Sequence, residues 1–95
     1  MYARVTPFKM KPGSKAAATK LVNDLKSQIM ALPGIQQFIN VIDDSGAGYV
    51  ISLTDVKTAT PETNEKIKEI WSGFAHHLEA MPTASTYDMI ANWKN

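Results

Sequence analysis

The sequence predicts an α+β domain with the element order β-α-β-β-α-β. Three observations carry the prediction. Glycine and proline fall at Pro12-Gly13, Pro33-Gly34, Gly46-Ala47-Gly48, Pro61 and Pro82, and they cut the chain into six segments. Two of the segments repeat their apolar residues at helical spacing. The other four are rich in β-branched and aromatic residues, as pleated surfaces favour.

Residues 2–8, YARVTPF, read as a strand. Pro7 cannot donate to a ladder, so this end of the strand is expected at an edge or a bulge. Ser14 is placed to cap the next helix. Ala18, Leu21, Val22, Leu25, Ile29 and Leu32 then form one apolar face over about 15 to 32, and Pro33-Gly34 ends it. Residues 35–43 and 49–54 read as two strands joined through SGAG, an antiparallel hairpin. Thr60 followed by Pro61 places a cap residue before a proline whose missing amide costs nothing at the first helical position. Ile67, Ile70, Trp71, Phe74, Leu78 and Met81 occupy one face of that second helix, and Pro82 stops it. The final segment, TYDMIANW, alternates strictly and reads as a strand. This order is the ferredoxin-like split βαβ, with both helices on one face of a four-stranded antiparallel sheet.

Composition narrows the function classes. The chain has 95 residues, 44% of them hydrophobic and 20% charged. That length suits one domain, residues 1–95, with a core that needs no metal or disulfide. Cysteine is absent, which excludes a disulfide scaffold and Cys-ligated zinc or iron–sulfur sites. A formal net charge of +1 argues against a dedicated nucleic-acid binder. No run reaches the ~18 apolar residues of a membrane span. The opening MYARVTPF has no basic region leading into an apolar stretch, so a cytoplasmic protein is expected.

Alternate strand residues share a face. One set contains Ala3, Val5, Ile35, Ile39, Val41, Ile51, Leu53, Tyr87, Met89, Ala91 and Trp93. Being the more apolar, it is expected beneath the helices. The other set mixes Arg4, Thr6, Asn40, Ser52 and Asp88 with Phe8, Phe38, Ile42, Val50 and Ile90. Its apolar members predict a homodimer in which a second copy covers this sheet face.

The opening MYARVTPFKMKPG, the LPGIQQFINVIDDSGAGYVISLTD hairpin and the closing TYDMIANW together resemble the dimeric α+β barrel superfamily, closest to its antibiotic biosynthesis monooxygenase-like branch. The resemblance covers nearly the whole chain. It implies a homodimer of facing sheets and, in each protomer, a cavity between helices and sheet. Some members oxygenate polycyclic phenols without metal or flavin, and others degrade haem. Trp71 resembles the family's cavity tryptophan, and His77 resembles the haem ligand of the haem-degrading members. The first strand carries Thr6 where those members have asparagine, and Ser52-Leu53-Thr54 lacks the tryptophan often found after Ser-Leu. No haem or other cofactor is therefore expected.

His77, Trp71 and Tyr87 are the catalytic candidates. His77 falls at the edge of the apolar helical face, with Gly73 leaving space one turn before it. An imidazole can serve there as a ligand-contacting base, although a boundary histidine with an ordinary hydrogen bond is the simpler reading. His76 points about 100° away along the helix, so the two do not share a metal, and no metal site is expected. Trp71 and Phe74 are core residues that would also stack on a planar ligand. Tyr87 offers a phenol to a ligand oxygen. Arg4 and Asp88 share a face and are expected to pair, across strands or across the dimer; an arginine buried beside Asn40 and Asn92 would instead bind an anion or set the dimer register. Three functions compete: a cofactor-independent monooxygenase-like protein for a small aromatic or phenolic molecule, a non-catalytic small-ligand-binding homodimer, and an RNA-binding module. The third ranks last because GYVISL lacks paired aromatics for base stacking.

Overall fold

The computed structural model describes residues 1–95. Seven elements follow one another: β1 (Tyr2–Lys9), α1 (Lys15–Asp24), α2 (Lys26–Met30), β2 (Ile35–Ile42), β3 (Ala47–Thr54), α3 (Pro61–Ser72) and β4 (Ser85–Asp88). The strands form one sheet in the order β2-β3-β1-β4, with every neighbouring pair antiparallel. This is the ferredoxin-like α+β arrangement. Pro7 lies beyond the reach of β4, which pairs only with Tyr2–Val5. Its missing N–H is tolerated there.

The first helical stretch is divided at Leu25, whose φ of −93° and ψ of 1° leave the helical basin. The bonds Leu25 N to Leu21 O and Ile29 N to Leu25 O still run through, so the division is a bend between two short helices. Ser14 does not cap α1 through its side chain. Its backbone is already helical, whereas a side-chain cap needs an extended residue. Thr60 meets that requirement, with φ −68° and ψ 160°, and its side chain accepts from Thr63 N at 3.2 Å. Pro61 follows at the first helical position.

Two elements are shorter than the sequence predicts. α3 ends at Ser72, nine residues before Met81. Gly73 is a poor helix former, and the chain beyond it finds better backbone partners at the end of β1. Lys11 N–H donates to His77 O and Glu79 N–H to Lys9 O, with Leu78 facing Met10. β4 stops at Asp88, opposite Tyr2, and Met89 N–H makes a last bond to Met1 O. Residues 89–95 therefore form no strand, and Ile90 and Trp93 stand 98% and 91% exposed.

The core sits at one end of the sandwich. Phe8, Met10, Ala18, Val50, Phe74 and Leu78 form a contiguous buried cluster. A Cβ at Gly48 would lie 2.6 Å from Phe8 Cζ, so the glycine lets the Phe8 ring lie across β3. The β2–β3 turn is tied to the same end. Asp43 Oδ1 accepts from Ser45 N, Ser45 Oγ and Ala47 N, and these bonds, the Ser45 hydroxyl first, hold its carboxyl below the usual range. Met10 N–H donates to Gly46 O at 2.7 Å, and Lys15 pairs with Asp44.

The two sheet faces are the reverse of the expectation. The helix side of the sheet carries Arg4, Thr6, Phe8, Phe38, Asn40, Val50, Ser52 and Thr86, of which Asn40 and Thr86, on the edge strands, stay exposed. Ala3, Val5, Val41, Tyr49, Ile51, Leu53 and Tyr87 belong to the uncovered face. The rule that the more apolar face meets the helices failed because the covered face encloses a cavity with a polar floor. Ile35 is a local exception. A bulge between Ile35 and Gln37 brings it to the covered side, while Ile39 and Val41 face outward.

Candidate functional site: a cavity between sheet and helices

The strand register arranges the covered face in rows across the sheet. Ile42, Gly48 and Phe8 form the row at the core end. Asn40, Val50 and Thr6 form the middle row. Phe38, Ser52, Arg4 and Thr86 form the row towards the far end. Polarity rises from one end to the other. Core packing is therefore complete at the first row and gives way to a cavity of about 300 Å³ over the other two.

The helices supply the apolar roof. Val22 and Ile29 come from α1 and α2, Leu32 from the turn that follows α2, and Ile67, Ile70 and Trp71 from α3. The i, i+3, i+4 spacing that made these residues legible as a helical face is what aligns them over the sheet. Trp71 stands where core and cavity meet. Its ring lies 5.9 Å from both Phe8 and Phe74, tilted by 53° and 57°, and another part of it lines the cavity. Such tilted contacts fix the indole without covering it completely.

The other two candidates lie elsewhere. His77 belongs to the segment that pairs with the end of β1 and does not line the cavity. Once α3 ends at Ser72, the helical geometry that set Gly73 over His77 is lost. A Cβ at Gly73 would instead meet Leu25 Cδ1 at 3.7 Å. Tyr87 pairs with Ala3 on the uncovered face and is 58% exposed, so its phenol points away from the cavity. Its neighbour Thr86 faces the cavity instead. The structure thus brings Trp71 to the site without His77 or Tyr87.

Arg4 is the main charged residue of the floor. It is half-buried, and burial lowers its pKa with no carboxylate opposing the shift. It takes part in none of the three ion pairs, so the cross-strand form of the expected Arg4–Asp88 pair does not occur within the chain. The register sets Asp88 opposite Tyr2 and Arg4 between Ser52 and Thr86. Thr6, Asn40, Ser52 and Thr86 were passed over as site residues. The signal for them was present: hydroxyl and amide side chains alternate in phase with Phe8, Phe38 and Val50 along three strands. No helix is long and apolar enough to cross a membrane.

No family model and no curated protein matches the sequence. Solved structures do match. A Bordetella bronchiseptica protein with a provisional antibiotic biosynthesis monooxygenase name superposes with a TM-score of 0.78 at 9% identity, over 95% of this chain and 97% of that one. A further structure described as an antibiotic biosynthesis monooxygenase gives 0.63 at 16% identity, over 96% and 100%. A Pseudomonas aeruginosa protein gives 0.67 at 18% identity, over 95% and 94%. At these identities the likeness shows the fold, and the chemistry has to be argued from the cavity.

Proposed function

We propose that this protein is a monooxygenase-like homodimer that binds a small aromatic or phenolic molecule between the helices and the sheet. The observation that carries the reading is the cavity itself, with an apolar roof, Trp71 in one wall, and polar strand residues across the floor. A planar ring stacks on the indole and excludes water. Hydroxyl and guanidinium donors on the floor then favour the substrate's anion, which is the form that gives electrons to oxygen. The names carried by structures of the same fold support this class of chemistry.

The dimer forms through the uncovered face in this reading. Val41–Tyr49–Pro7, Ile39–Ile51–Val5 and Leu53–Ala3–Tyr87 are its cross-strand rows. Several members are large and exposed, among them Ile39, Val41, Tyr49 and Tyr87. An apolar surface of this kind on a small domain marks an interaction site. Tyr87 then serves the interface, and Trp71 remains the site aromatic.

Oxygen uptake with 1,4-dihydroxynaphthalene, corrected for autoxidation, tests the activity. Uptake above the uncatalysed rate that falls at least tenfold in Trp71→Ala supports the enzyme. Binding of the same ring system without added uptake would leave the non-catalytic ligand-binding homodimer as the function.

A further inference from the structure

Arg4 occupies a junction. On one side is the apolar chamber under Trp71. On the other is an open recess lined by Arg4, Lys57, Thr58, Ala59, Asn64 and Thr86, five of whose six residues are polar. Arg4, Lys57, Ala59 and Thr86 border both spaces. The charged residues of the chamber are Arg4, Lys57, Lys66 and Glu62, three cations against one carboxylate. Neither Arg4 nor Lys57 has a salt-bridge partner. A half-buried guanidinium that loses hydration without gaining a carboxylate costs stability, and an arginine serves best where a planar oxyanion can accept both arms of its fork.

Building on the cavity-binding reading above, we infer that the ligand is an aromatic carboxylate, with its ring system under Trp71 and its carboxylate at the junction between Arg4 and Lys57. The row Phe38–Ser52–Arg4–Thr86 supports the placement, because hydroxyls on both neighbouring strands flank the guanidinium and add donors to the same oxyanion. Phe38, in the same row, gives the adjoining ring an apolar neighbour. A neutral molecule of the same shape fills the chamber but leaves the two cations unpaired.

Calorimetric titration at pH 7 with 1-naphthoate and 1-naphthol tests this. The ring is the same, and only the first probe is ionised, since a phenol keeps its proton until about pH 10. The expected result is naphthoate binding at least tenfold tighter than naphthol. Arg4→Gln is expected to remove that preference by weakening naphthoate far more than naphthol, and Arg4→Lys to keep part of it. Lys57→Gln, on an exposed segment where folding is not at stake, is expected to weaken naphthoate about threefold. Equal affinities for the two probes, or equal losses for both in Arg4→Gln, overturn the carboxylate inference and leave the aromatic cavity standing. Failure of both probes to bind the folded protein overturns the cavity reading as well.

Discussion

The two faces of the sheet invert the usual division between inside and outside. Beneath the helices lie Arg4, Thr6, Asn40, Ser52 and Thr86, with full apolar packing only near Phe8 and Phe74. On the uncovered side lie Ala3, Val5, Val41, Ile51 and Leu53, with Tyr49 and Tyr87 half exposed. A sheet that needed only to fold would place these sets the other way round. The covered face gives up packing to hold a polar-floored cavity, and the uncovered face carries apolar area that a lone protomer cannot bury. On the function proposed above, the first difference serves ligand binding and the second association.

The largest test of this contrast is at the centre of the uncovered face. Ile51→Lys places a charge in the proposed interface, where burial without a partner costs about 3–5 kcal/mol. Sedimentation or native mass spectrometry is expected to show a monomer, with naphthoate still bound to the chamber. A persistent dimer would take the interface away from this face. Phe74→Ala attacks the packed end of the covered face and is expected to cost about 3–5 kcal/mol in denaturant unfolding, because the residue is buried and stacks on Trp71. Ser52→Val is the smallest and sharpest change. It makes the cavity floor more apolar and is expected to leave stability within about 0.5 kcal/mol while weakening naphthoate severalfold. A clear gain in stability without loss of binding would mean that Ser52 has no part in the site.

Much of the fold could be read from residue order. Proline and glycine marked the segment ends, Thr60-Pro61 marked the start of α3, and alternation marked the strands. The two lost segments show where such signals stop. Phe74 and Leu78 fit a helix continuing past Gly73, yet the edge of Lys9–Lys11 that β4 does not reach takes His77–Glu79 as its partner through the Met10–Leu78 bridge instead. The alternation of TYDMIANW fits a strand, yet no β1 residue lies opposite the part beyond Met89. Trp71 was legible as a cavity-lining residue because it still lies within α3, one residue before the helix ends. His77 lies after that break, and its inferred direction went with the helix. Tyr87 was assigned to the covered face by apolarity, and the same inversion that moved Ile51 outward moved it too.

By itself, the sequence determined the kind and order of the strands and helical stretches, because turn geometry, capping and side-chain periodicity are local properties of neighbouring residues. It also determined which side chains share a face, apart from Ile35 before its bulge, since a regular strand alternates wherever it is placed. Only the tertiary structure decided which face the helices cover and where Arg4 meets the cavity. Those outcomes depend on strand register, on the bulge after Ile35, and on where α1, α2 and α3 sit across the sheet. The physical reason is that alternation divides a strand into two faces without saying which is inside. That choice is made by what packs against it.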